Sequence, residues 1–236
     1  MTDQELAFQW DADHRLAATT ALASGVLVLL GTALVFSVGM GPIEALIAGQ
    51  PAAPFGVTVL GGLLLIVDVA LLAFVVALAH AFTEGRSFGL TVTTAVASLA
   101  TAAAAGVHLT WAHLATSPET EAPAQVTQFA TWLAVNLWML PLFGLLVGAT
   151  LAALALALRH SPFRFARRIG TASAVIGALL LLLAPFSGFG PEQPAFIAVA
   201  AIMLSTGAIS VLLLVALVRL GLLLAGSRRR ASVPVG

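Results

Sequence analysis

Six stretches of this chain, 16–38, 57–82, 88–114, 127–158, 169–187 and 196–218, are predominantly apolar and bounded by glycine, proline or charge. A helix that crosses a hydrocarbon core of roughly 30 Å needs about 20 such residues. Lipid offers no hydrogen-bond partners, so a spanning backbone must satisfy itself within helices or a closed barrel. Barrel strands alternate apolar and polar residues over about ten positions. Runs such as VLVLLGTALVF do not alternate. The expected fold is therefore all-α, a bundle of six transmembrane helices. Composition agrees: 60% of the residues are hydrophobic and 8% charged, against about 25% charged in soluble domains.

This divides the chain into an N-terminal segment (1–15), a transmembrane domain (16–226) and a basic tail (227–236). The N-terminal segment carries Asp3, Glu5, Asp11 and Asp13 against Arg15. A secretory signal has a basic start and a short apolar core, so the first span is expected to be retained. The chain has no cysteine, which excludes disulfides, thiolate metal sites and cysteine nucleophiles. Its basic residues are all arginine, and with so much Ala, Leu, Val and Gly this fits a GC-rich prokaryotic genome. The expected location is a prokaryotic cytoplasmic membrane.

Charge sets the expected orientation. Arg15, Arg86, Arg159, Arg164, Arg167, Arg168, Arg219, Arg228, Arg229 and Arg230 all fall on one side of a six-span arrangement. The opposite loops, 39–56, 115–126 and 188–195, hold Glu44, Glu119, Glu121 and Glu192 and no basic residue. The positive-inside rule then places both termini in the cytoplasm.

Small residues at four-residue steps let helix backbones approach closely in lipid. Gly144, Gly148 and Ala152 have that spacing in the fourth span, and Thr94, Ser98, Ala102 and Gly106 have it in the third. Both are expected to be packing faces within the bundle. A parallel hairpin repeat is a further expectation, a device some transporters use. The first span opens at Arg15 with RLAATTALASG and leaves through FSVGMGP; the fifth opens at Arg168 with RIGTASAVIG and leaves through FSGFGP. The plainer reading is that Ala- and Leu-rich helices resemble one another.

Asp68 interrupts LIVDVALLAF, residues 65–74. Eleven residues from Val57, it lies roughly 16 Å into the second span, near the bilayer centre. A charge there costs at least about 2.5–3.5 kcal/mol on insertion scales, so Asp68 is expected to face the bundle, either partnered or carrying a proton. Asn136 matches it in depth on the fourth span, with Thr101 and Ser205 as further hydroxyl partners. Pro141 removes a backbone donor and kinks a helix, which would free a carbonyl beside Trp138. Asp68, Asn136, Trp138 and Pro141 form the expected intramembrane polar site, either a proton- or cation-responsive centre or a hydrogen bond that fixes helix register.

The remaining polar groups are weaker signals. His108 and His113, near Glu119 and Glu121, are five residues apart, about 140° around a helix; that suits interfacial anchoring better than metal chelation. His80 and His160 fall on one side, but His160 lies past the end of its span, so no haem or other cofactor is expected. Arg164, Arg167, Arg168, Arg228, Arg229 and Arg230 are expected to be topology determinants; the alternative is that they hold anionic lipid headgroups. No phosphate-binding glycine loop, zinc-protease helix, nucleophile elbow or nucleic-acid module is present.

The segments LGGLLLIVDVALLAFVVALAHAF and LALRHSPFRFARRIGTASAVIGALLLL resemble an uncharacterised family of six-span prokaryotic membrane proteins. That family has an Asp-Val pair inside its second span and a basic turn before a glycine-containing fifth. The resemblance implies the six-helix fold and no activity. The expected function is transport or permeation through a small bundle, with Asp68 responding to protons. The alternative is a non-catalytic partner or sensor that binds another membrane protein. Clustered polar groups for an enzyme are missing.

Overall fold

A computed structural model describes residues 12–47, 54–83, 88–116, 127, 142, 144–184 and 195–231. Six helices make up nearly all of this: α1 (Ala12–Ile47), α2 (Pro54–Ala81), α3 (Phe88–Thr116), α4 (Gly144–Leu158), α5 (Arg164–Leu183) and α6 (Ala195–Ala231). No strand occurs among the described residues. Five of the helices contain stretches long and apolar enough to cross a membrane, namely 13–35, 61–81, 88–106, 164–183 and 207–225. The described part of the fourth expected span is the shorter apolar helix α4. By length and composition this is a multi-pass helical membrane protein.

Several boundaries differ from expectation. The sequence FSVGMGP is not an exit turn, because α1 stays helical through it and ends only at Ile47. Its counterpart FSGFGP lies outside the described residues, so the repeat loses its distinguishing feature. The last helix also continues through Arg228, Arg229 and Arg230, where a tail was expected. At the other break, α5 begins at Arg164, so Arg164, Arg167 and Arg168 occupy its first turns rather than a loop. Arginine is a good helix former, and a helix can restart directly after the real breaker, Ser161-Pro162. Proline disfavours helical geometry in the residue before it. The turn is held by Ser161 N–H donating to Leu158 O at 3.1 Å and by Phe163 N–H donating to Ser161 Oγ at 3.3 Å. Arg167 Nη1 donates to Ser161 O at 2.6 Å and to Pro162 O at 3.3 Å, so its guanidinium clamps the turn.

Packing follows side-chain size rather than polarity. On α1 the buried residues are small or medium: Ala17, Ala18, Ala21, Ser24, Gly25, Val28 and Gly31, while Leu16, Leu27, Leu30 and Leu34 are exposed. Lipid tails are as apolar as leucine, so hydrophobicity does not draw helices together in a membrane and close approach does. The glycines mark where that approach is tightest. A Cβ on Gly31 would lie 2.6 Å from Val67 Cγ2 of α2, and one on Gly25 would lie 2.5 Å from Leu217 of α6. One on Gly89 of α3 would lie 2.8 Å from the backbone nitrogen of Ala157 of α4. At the arginine-bearing end the bundle closes on three phenylalanines. Phe82 packs edge-on against Phe163 and Phe165, with ring centroids 5.3 and 4.9 Å away.

Candidate functional site

Helices α2 to α6 do not close completely on one another. They enclose a cavity of about 290 Å³ lined from α2 by Leu71, Phe74, Val75 and Leu78, and from α6 by Ile209, Leu213 and Ala216. Ala97 and Thr101 of α3, Thr150 and Leu154 of α4 and Ile169 and Ser173 of α5 complete the wall. The lining is aliphatic and aromatic apart from three hydroxyls. Thr150 Oγ1 donates to Leu146 O at 2.8 Å within its own helix. Ser173 is buried, and its Oγ has no hydrogen-bond partner among the described residues. Elsewhere hydroxyls bond back one turn, as Thr93 Oγ1 does to Gly89 O and Thr171 Oγ1 to Arg167 O. A buried unpaired hydroxyl costs about 1–3 kcal/mol. A guest that reached Ser173 would recover part of that cost.

Asp68 does not line the cavity, yet it sits just beyond it. It belongs to the seven-residue stripe Gly61, Asp68, Val75 and Phe82 on α2, whose other three members are buried. Leu71 and Leu72, one turn further along, are cavity residues. The exposed side of α2 is a different stripe, Gly62, Ile66 and Val69. Asp68 itself is half-buried. Asn136, Trp138 and Pro141 lie outside the described residues, as does the side chain of Ser205. Of the partners suggested by depth, Thr101 is the one with a described position.

The small-residue stripes have opposite environments. Gly144 and Gly148 are buried against α5: a Cβ on Gly148 would lie 3.0 Å from Gly177 O, and one on Gly144 would lie 2.7 Å from Ala184 Cβ. Ala152 is half-buried beside them. By contrast Thr94, Ser98, Ala102 and Gly106 are exposed, and a Cβ on Gly106 would meet nothing within 4 Å. The third span buries its neighbouring stripe, Gly89, Thr93 and Ala97, instead. Both stripes consist of small residues, so size alone does not choose between them.

His108 and His113 lie on α3, but their side chains are outside the described residues. No group of three or more metal-ligating side chains occurs among the described residues. His160 is exposed at the α4–α5 turn. His80 stacks on His14, with ring centroids 6.1 Å apart and planes 9° from parallel. His14 Nε2 lies 3.4 Å from Thr83 O. The pairing was hidden because α1 starts at residue 12 rather than 16, which carries His14 into the bundle's end. Ser173 was also missed, although a hydroxyl on the buried run Ile169, Gly170, Ser173 and Gly177 was the available signal. Comparison with family models, curated proteins and solved structures gives no match for this chain.

Proposed function

We propose that this protein is a small transporter or permeation bundle of a prokaryotic cytoplasmic membrane, and that its central cavity takes up a small lipophilic solute. The supporting observation is the cavity itself, walled by five helices with three hydroxyls in an otherwise apolar lining. Apolar cavities of about half this volume accept apolar guests of benzene size. Asp68, one turn beyond the wall, is the group assigned to proton coupling in this reading, since an intramembrane carboxyl is a functional-site candidate by default.

The test is flux in proteoliposomes holding a trapped pH dye, with a set of small lipophilic weak acids and bases added outside. Wild-type protein should dissipate an imposed pH step faster than empty vesicles for at least one compound. Asp68→Asn should fold normally and return that rate to the empty-vesicle value. Rates equal to empty vesicles for every compound would refute transport. An Asp68→Asn variant with full flux, paired with an unstable Asp68→Leu variant, would make Asp68 a structural hydrogen-bonding residue.

Orientation has its own test. With both termini in the cytoplasm, cysteines placed at Gln50, Gln125 and Gln193 should react with an impermeant thiol reagent outside intact cells. One placed at Ser232 should not, and labelling there alone would invert the arrangement. A second functional reading rests on the exposed stripe Thr94, Ser98, Ala102 and Gly106. Outward-facing small residues on a span suit close contact with another membrane helix, which would make the protein a non-catalytic partner or sensor. Bulky substitutions at Ser98 and Ala102 that abolish co-purification of a membrane partner, with flux absent throughout, would favour it.

A further inference from the structure

A second concavity lies on the lipid-facing side of the bundle, between α4 and α5, and it differs in chemistry from the central cavity. It is an open groove of about 740 Å³. Its floor is made by small residues, Ala152 and Ala155 from α4 and Gly170, Thr171, Ala174 and Ala178 from α5. Its helices are held together beside the floor, where a Cβ on Gly170 would lie 3.1 Å from Leu158 Cβ. At one end stand two arginines, Arg159 at the end of α4 and Arg167 in the first turn of α5. Among the described residues, no acidic side chain lines the groove.

The dimensions match one leaflet. From Arg167 to Leu181 the α5 wall rises over 14 residues, roughly 21 Å, and half of a bilayer with its headgroup region is about 20–22 Å. A ligand filling this groove needs an apolar tail along the alanines and a negative head at the arginines. Arg167 Nη1 is spent on Ser161 O and Pro162 O. Those bonds restrain the guanidinium at the groove's end and leave Nη2 and Nε as further donors. A guanidinium matches phosphate oxygens with two parallel bonds where an ammonium offers a point charge. Arg159 is exposed and lines the same groove, so it offers a second guanidinium to the phosphate.

We propose that the α4–α5 groove binds one anionic phospholipid, its phosphate between Arg159 and Arg167 and one acyl chain against Ala152, Ala155, Ala174 and Ala178. The site is separate from the central cavity and does not depend on transport. Arg164 and Arg168 do not line it, which favours a fitted site for one lipid over diffuse attraction of a basic surface.

The experiment uses the full chain in mild detergent, titrated with dioleoyl phosphatidylglycerol, dioleoyl phosphatidylcholine or inorganic phosphate, with bound lipid counted by native mass spectrometry and melting followed in parallel. Wild type should retain one phosphatidylglycerol and melt at a higher temperature with it than with phosphatidylcholine. Arg159→Gln should weaken that binding about fivefold, the worth of one basic residue at an anionic surface. Arg167 also clamps the turn, so Arg167→Gln would disturb folding as well as binding; Ala174→Phe, at an exposed position, provides the independent arm. It fills the groove, keeps both arginines and should lose the retained lipid. Equal retention of the two lipids would overturn the proposal, as would full phosphatidylglycerol binding by Ala174→Phe. A melting shift from inorganic phosphate equal to that from the lipid would leave an anion site without a lipid groove, and would also overturn it.

Discussion

Gly177→Leu destabilises the protein in detergent by about 1–3 kcal/mol, toward the upper end of what overpacking costs. A Cβ at Gly177 would lie 2.8 Å from Gly148 O and 3.1 Å from the backbone nitrogen of Ala152. These are main-chain atoms of α4, so no side chain can rotate out of the way and the helices must separate. Gly148→Leu meets the reciprocal obstacle, Gly177 O at 3.0 Å, and should fall in the same range. Gly62 supplies the control: it is exposed on α2, with nothing within 4 Å of an added Cβ. Gly62→Leu removes a helix-weakening glycine, which is worth up to about 1 kcal/mol, and should be neutral or stabilising. Thermal unfolding of the three variants in one detergent decides the matter. Equal stability of Gly177→Leu and Gly62→Leu would mean that α4 and α5 do not approach as described.

Phe82→Ala has the largest expected effect of any single truncation, a loss of about 3–5 kcal/mol. Phe82 is fully buried at the arginine-bearing end, and its ring meets both Phe163 and Phe165 edge-on. Those contacts join the end of α2 to the turn before α5 and to α5 itself. Thr83, beside it, donates to Ala79 O at 2.6 Å and lies 3.3 Å from Ala157 O of α4. Emptying the ring's place would therefore loosen three helices at once. Phe82→Leu, closer in volume, should cost much less. A melting temperature for Phe82→Ala within a degree or two of Phe82→Leu would show that the aromatic cluster does not close the bundle.

How far the candidate site was legible differs from residue to residue. Asp68 announced itself, because one carboxyl in an apolar run must be partnered or protonated in lipid. The residues of the cavity wall did not. Leu71, Ala97, Leu154 and Leu213 are indistinguishable in type from lipid-facing neighbours such as Val69, Leu99, Leu156 and Leu214. Arg167 was legible as a charge, but its grip on Ser161 O and Pro162 O depended on where α5 starts. The His14–His80 stack needed the same kind of information, since residues 66 positions apart meet only once α1 and α2 are laid side by side.

By itself, the sequence determined the solvent and the secondary structure. Apolar runs of this length have no place but a bilayer, and a bilayer leaves a non-alternating backbone no form but helix. It did not determine which face of each helix turns inward. In water the burial of apolar surface would have settled that, and the polar residues would have marked the outside. In lipid both faces are apolar, and the choice falls to fit: Ala18, Ala21 and Gly25 go inside on α1 while Leu27, Leu30 and Leu34 go outside. The same test sorted two equal-looking stripes, burying Gly144 and Gly148 against α5 and leaving Ser98, Ala102 and Gly106 exposed. Fit is a property of pairs of helices, so the central cavity, the arginine-capped groove and the aromatic closure came into being only with the tertiary structure.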